Sequence, residues 1–457
     1  MGKATDFFSL LAFSGFPRLR LWNHHSGGEG RKLKIELFVI AGLLFSLLGT
    51  VSCQPGRDFN AQLSSIVKPY RFSFAGWEFR ALWHEARESI FSREKEIDDA
   101  AGKVSEYFSY VERIKSLKQE IEMVKRGDKE GDIASLEAEL SRLEAQKLAL
   151  ESTVEGIISE QIKEILRQQG IYNPLEKYLK LKFSFPPVDF KLDKPPHLLV
   201  VSPRDRIESM REITLRQEMS LKEMERIEAA VDELGVSSLV VGLGGFGGTY
   251  PAFVSNEASL RFAVDTAAEE WLHQYLAFKP LGFFYLLDLT GLRRDYEIAT
   301  MNETVASMVS KEIGDLVVAS YYPESKKEAG QSGEKTLGFD FNREMREIRK
   351  KVDELLARGE VEQAEEFMEK ERQRLEAKGY YIRKLNQAYF AFYGTYADRP
   401  TSISPIGFEL KQLRSQSASL KEFLEKVAAM TSREDLIRSL NEAEGESSEG
   451  NIPDQTL

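Results

Sequence analysis

Three carboxylates and one imidazole stand out by residue type and spacing. The stretch Ala267-Ala268-Glu269-Glu270-Trp271-Leu272-His273 separates Glu269 from His273 by four residues and sets Glu270 beside them. In a helix, residues four apart leave the same face. About one helix later comes Asn302-Glu303-Thr304-Val305-Ala306, and a second helix carrying Glu303 would bring a third donor to the same point. Carboxylates and imidazole are donors that hold zinc. The chain has five histidines (His24, His25, His84, His197 and His273) and one cysteine, Cys53, so any metal centre must lean on carboxylates. His84-Glu85, with Glu88 at helical spacing, reads as a surface helix pair in preference to a second metal site.

The elements that must position these groups are legible as patterns. Leu260, Val264, Ala267, Ala268, Trp271, Leu272 and Tyr275 give the first helix an apolar face over about residues 257–278, ended by Pro280-Leu281-Gly282. The second helix spans about 298–313, with Gly314 as its stop. Upstream, residues 197–202 and 237–243 read as buried strands, with a long wet helix over about 205–234 between them. Pro186-Pro187 and Pro195-Pro196 bracket a linker. Gly244, Gly245, Gly247 and Gly248 are followed by no Lys-Ser/Thr and lack the dinucleotide spacing, which excludes a phosphate loop. An edge strand or turn at the lip of a cleft suits them. Downstream lie a long charged helix over about 342–378, an aromatic segment over 380–398, and helices near 420–431 and 433–440. A Glu-, Ser- and Gly-rich tail over 441–457 is expected to be disordered.

A length of 457 residues allows two or three domains, and a net charge of -11 argues against a nucleic-acid partner. Residues 1–34 are basic and short of acids, whereas residues 35–53 are nearly all apolar. As helix, 18 such residues cover roughly 27 Å, enough for a bilayer core. Gly49-Thr50-Val51-Ser52-Cys53 resembles a lipoprotein cleavage site, so a transmembrane signal anchor and a lipid anchor both remain open. Either places the chain at the cell membrane, with residues 1–34 cytoplasmic and the bulk outside. Residues 54–92 form an aromatic linker region that packs on the main body. Residues 93–170 read as a helical hairpin. Ile133, Leu136, Leu140, Leu143, Leu150, Val154 and Ile157 form one seam, broken by Lys147, and Val104, Phe108, Val111, Ile114 and Leu117 form the other. The hairpin packs on itself or serves as a coiled coil for a partner or a homodimer.

The pattern resembles the gluzincin side of the zincin metallopeptidases, and is similar in particular to bacterial predicted aminopeptidases with a peptidase-MA-like domain. Glu269 to His273 sits where that family has HExxH, and Asn302 to Ala306 looks like its NExxA segment. Leu385-Asn386-Gln387-Ala388 through Gly394-Thr395-Tyr396 resembles its closing segment, and the likeness spans about residues 197–430. The resemblance implies an α+β, mainly helical chain with a small sheet and a zincin-like domain over 186–440. It implies zinc held by His273 and Glu303, with Glu269 in the place of the first histidine. Glu270 is the implied general base, Tyr393 or Tyr396 steadies the oxyanion, and the substrate is a peptide or protein outside the membrane. Glu269 is the departure: two carboxylates cancel the metal's charge and leave a poorer Lewis acid. Three outcomes stay open. They are a working site with unusual ligands, a site that binds metal without turnover, and a metal-free binding or scaffold protein whose hairpin recruits a partner.

Overall fold

The computed structural model describes residues 57–72, 99–174, 184–323, 339–398 and 402–449. The basic segment 1–34, the apolar segment 35–53 and most of the aromatic linker, His84 included, lie outside the described residues. No helix of the described residues is long and apolar enough to cross a membrane. The chain is mainly helical with two small sheets, as the α+β expectation has it.

Helix α1 (Arg57–Val67) and a short 3-10 turn lead to Phe72, whose N–H donates to Thr214 O at 3.1 Å. The Phe72 ring meets Phe253 edge-on at 6.0 Å, so the start of the aromatic stretch does pack on the main body. Helices α2 (Ala100–Arg126) and α3 (Ile133–Gln168) form the hairpin. Gly127 ends α2 at φ 83, and Asp132 caps α3 by accepting Ala134 N–H. Val104, Phe108, Val111, Ile114 and Leu117 are buried, as are Leu143, Val154 and Ile157 opposite. Ion pairs Arg113–Glu139 (2.9 Å) and Lys118–Glu144 (3.3 Å) tie the rims. The hairpin is therefore packed on itself. Lys147, the break in the seam, donates to Asn256 O at 3.0 Å and so ties the hairpin to the body.

The body carries strands β1 (Phe190–Leu192), β2 (His197–Ser202) and β3 (Arg211–Leu215), helix α4 (Leu221–Asp232), and strands β4 (Ser237–Gly242), β5 (Gly245–Phe246) and β6 (Ala252–Val254). One sheet has the antiparallel order β3-β2-β4; the other has the order β1-β6-β5. Two expectations are corrected here. The proline-bracketed linker contains β1, which pairs parallel with β6, Phe190 opposite Ala252. The long helix over 205–234 is instead β3 followed by α4. The β2 edge captures Arg211–Leu215, with Leu199 opposite Ile213, and a Ser220–Glu223 capping box starts the helix only at Leu221. Strand β2 is buried on both faces, Leu199 and Val201 toward α1 and α4, Leu198 and Val200 away from them, which explains its unbroken apolar run.

Next come α5 (Leu260–Leu276), α6 (Pro280–Leu289), α7 (Tyr296–Tyr321), α8 (Phe341–Ala357) and α9 (Val361–Glu376). They are followed by α10 (Gln387–Tyr393), α11 (Ile406–Gln416), α12 (Leu420–Ala428) and α13 (Arg433–Glu449). Pro280 does not merely end α5; it opens α6 at a first-turn position, where its missing N–H costs nothing. Gly314 does not stop α7. A Cβ there would collide with the Asp265 carboxylate of α5, so the glycine serves helix–helix contact. The charged helix over 342–378 is two helices, broken at Gly359 (φ 76), that pack Met345, Ile348 and Val352 against Ala364 and Met368. Helix α13 continues past Asn441, where composition predicts loss of order; residues 450–457 lie outside the described residues.

Hairpin and body meet at a polar cluster. Glu155 of α3 accepts Leu192 N–H (2.7 Å) and Lys191 Nζ (2.9 Å). One turn earlier, Glu151 accepts the Tyr107 hydroxyl at 3.4 Å. Burial, and then the Glu155 charge, push the Glu151 carboxyl up to about 7. The unfolded chain ionises this group above a pH of about 4.3, while the folded chain resists until about 7. Stability therefore falls as pH rises through that window and stays lower above it. The shift is worth about 3 kcal/mol at most and about half that for a partly exposed group. Glu151→Gln is expected to raise the thermal unfolding midpoint by about 2–4 °C at pH 8 and to leave it unchanged at pH 4. An equal change at both pH values in thermal melts would disprove the assignment.

Candidate metal centre

Helix α5 begins at Ser259, whose hydroxyl accepts Phe262 N–H. It buries Ala263, Val264, Ala267, Ala268, Trp271, Leu272 and Tyr275, and Trp271 Nε1 donates to Pro186 O at 2.7 Å. Helix α7 begins at Asp295, which caps Ile298 N–H. The two helices pack together, so Glu269 and His273 of one meet Glu303 of the other. One donor atom from each of the three lies within 4.8 Å of the others. His273 Nε2 and Glu303 Oε2 are 3.8 Å apart. Among the described residues no other group of three histidines, cysteines or carboxylates is so placed. Zinc sits about 2.0–2.2 Å from nitrogen and oxygen donors, so two donors of one tetrahedral ion lie roughly 3.3–3.5 Å apart. Closing 3.8 Å for this pair, and up to 4.8 Å over the three, to that separation takes side-chain shifts of about 1 Å or less per atom, and the donor types fit the ion.

Neighbouring groups orient these donors. The Asn302 side-chain amide nitrogen lies 3.0 Å from His273 Nδ1, while Asn302 Oδ1 is buried with no hydrogen-bond partner. Turning that amide over places Oδ1 on Nδ1–H and leaves the Nε2 lone pair toward Glu303. A histidine ligand held in this way has its tautomer and ring plane fixed. Tyr285 of α6 donates its hydroxyl to Glu303 Oε1 at 2.5 Å, which leaves Oε2 toward His273. Burial and the Glu303 and Glu212 charges hold the Tyr285 hydroxyl well above the usual phenol range, so it remains a donor.

Sequence reasoning placed Glu269, His273 and Glu303 together, and the structure brings them together. It missed Tyr285, because Pro280 was read only as the end of a helix. A proline at the first turn of a further helix was the available signal. Of the two tyrosines singled out for the oxyanion, Tyr396 is close enough to Tyr285 to act on it electrostatically, whereas Tyr393 packs its ring 4.5 Å from Tyr389. The segment carrying Tyr396 is fastened to α7. Thr304 Oγ1 accepts Ala397 N–H at 2.9 Å, and Asp398 accepts Ser307 Oγ at 3.1 Å and Lys311 Nζ at 2.5 Å.

Glu270 turns toward β5, the edge strand of its sheet, as the glycine-rich stretch predicts. The Gly247 backbone lies close enough to favour the charged carboxylate, yet burial and the charges of Glu269 and Glu303 outweigh it and raise the Glu270 pKa well above the carboxylate range. On β3, Glu212 adds a further carboxylate in electrostatic reach of Glu303, accepting Ser209 Oγ at 2.7 Å.

No family model, curated protein or solved structure matches this chain. The donor geometry carries the functional reading by itself.

Titration with zinc against a competing chelator is expected to show one ion per chain. His273→Ala and Glu303→Ala each abolish it, and Asn302→Ala weakens it about 10–100-fold. Unchanged binding in Glu303→Ala would remove the site.

Proposed function

We propose that this chain is a zincin-type zinc peptidase with one altered ligand, acting on peptides at the outer side of the membrane to which residues 35–53 tether it. One observation carries the reading: Glu269, His273 and Glu303, from two helices about thirty residues apart in sequence, offer donor atoms within 4.8 Å of one another. When bound there, zinc would supply a polarised water and a Lewis acid for the scissile carbonyl. The chain's own residues do the rest. Tyr285 and Asn302 hold Glu303 and His273 in their ligating orientations. Glu270, beside the donor set and held against the backbone at Gly245 and Gly247, takes the water proton and returns it to the leaving amine. The repulsion from Glu269 and Glu303 that discourages its ionisation is removed when those two are neutralised. Of the two tyrosines, Tyr396 is the one we assign to meet developing charge on the carbonyl oxygen.

A second reading is a zincin-fold binding or scaffold protein without turnover. It is favoured by Glu269, since two carboxylates cancel the charge of a divalent ion and reduce its acidifying power. The hairpin would then offer a partner its charged outer faces, because its seam is closed.

The test is hydrolysis of a mixed peptide pool by the purified zinc-loaded chain, followed by mass spectrometry. Glu270→Gln is expected to reduce cleavage by about 10²-fold or more, and cleavage that survives it removes the general base. Glu269→His is expected to tighten zinc binding and raise the rate. Zinc binding without cleavage in the wild type, and cleavage gained only with Glu269→His, would favour the second reading.

A further inference from the structure

The glycine-rich stretch after β4 has no conformational need for glycine. None of Gly244, Gly245, Gly247 and Gly248 lies in the left-handed region, so alanine is allowed at each on backbone grounds. The four differ in the space around them. A Cβ on Gly244 would meet the ring of Phe262, an exposed side chain, and one on Gly248 would meet the ring of Phe246. A Cβ on Gly245 would collide with the Glu270 carboxylate and with the buried Thr266 methyl. A Cβ on Gly247 would lie 2.6 Å from Glu270 Oε2 and 3.1 Å from the Glu270 carbonyl oxygen. Gly245 and Gly247 thus each lie against one oxygen of the same carboxylate, Oε1 and Oε2 respectively.

We infer that Gly245 and Gly247 are positioning residues. The β5 edge and its turn form a backbone seat for the Glu270 carboxylate, and the two glycines are there to admit it. The inference rests on the reading of Glu270 as the base and adds what holds it. A glutamate has three side-chain torsions, and its carboxylate must be aimed to within a fraction of an ångström to act on a bound water. Helix α5 fixes only the Cα. Close contact of the two carboxylate oxygens with the backbone at Gly245 and Gly247 fixes the rest.

The test is a double-mutant cycle on the metal-free full chain, read by thermal unfolding, which needs neither zinc nor substrate. Gly247→Ala is expected to lower the midpoint by about 3–6 °C in the wild-type background and by about half that or less in Glu270→Ala, where the carboxylate is gone and only the contact with the residue-270 carbonyl oxygen remains. Gly244→Ala is expected to change it by about 1 °C or less in either background. Equal losses from Gly247→Ala in both backgrounds would overturn the inference. Should Gly247→Ala fail to fold, hydrogen exchange at the Gly247 amide decides. Exchange about tenfold faster in Glu270→Ala, with Gly244 unaffected, supports the seat, and unchanged exchange overturns it. With zinc present, Gly247→Ala should keep one ion per chain and lose cleavage about 10²-fold. A wild type that neither binds zinc nor cleaves peptides would remove the peptidase reading while leaving the stability coupling intact.

Discussion

The contact between α5 and α7 places every candidate ligand. Helix α7 is buried along most of its length, with Met301, Val305, Val309, Ile313 and Val317 all shielded from solvent. Its approach to α5 is close where Gly314 leaves room for Asp265. Register along the pair is set at the far end by Arg261, which donates to Asp265 (2.8 Å), to Asp315 (2.6 Å) and to Lys311 O (3.0 Å). A one-turn slip of α7 would carry Glu303 about 5.4 Å away from His273. The ion pairs are partly exposed and individually weak, so the buried apolar seam supplies the energy and the arginine supplies the register.

That packing works against charge. Glu269, Glu270 and Glu303 converge at the helix pair, and the raised pKa of Glu270 reflects the cost of holding like charges in a partly dry space. A fold selected only for stability would place a carboxamide or an apolar side chain there. The supporting contacts instead preserve the arrangement: Tyr285 on Glu303, Asn302 against His273, and Gly247 on Glu270. Each fixes the direction of a donor rather than adding to the core. This division of labour is what the proposed cation site, with a base beside it, requires.

Two distant parts of the chain are fastened to this centre by polar ties. The segment after α10 is pinned along one face of α7 through Thr304, Ser307 and Lys311. The hairpin is joined to the second sheet through Glu155 and to the loop before α5 through Lys147. The hairpin base shares its apolar core with α5 and α7, the helices that carry the candidate ligands.

Whatever depends on short-range periodicity was legible in the residues themselves. The four-residue step from Glu269 to His273 guaranteed a shared face once α5 formed, because helix pitch is set by covalent geometry. Strands β2 and β4, the hairpin and its turn followed from apolar runs and a polar break. What depends on contacts between elements was not. Arg211–Leu215 became a strand because the β2 edge was there to receive it. Gly314 sits inside a helix because Asp265 packs on it, and Tyr285 reaches Glu303 because α6 turns back over α7. Sequence nominated Glu303 as a third donor, but the 3.8 Å between it and His273 exists only through the packing of two helices whose facing side chains lie some thirty residues apart. No local rule encodes that distance, since it comes from the burial of apolar side chains around the whole of α7.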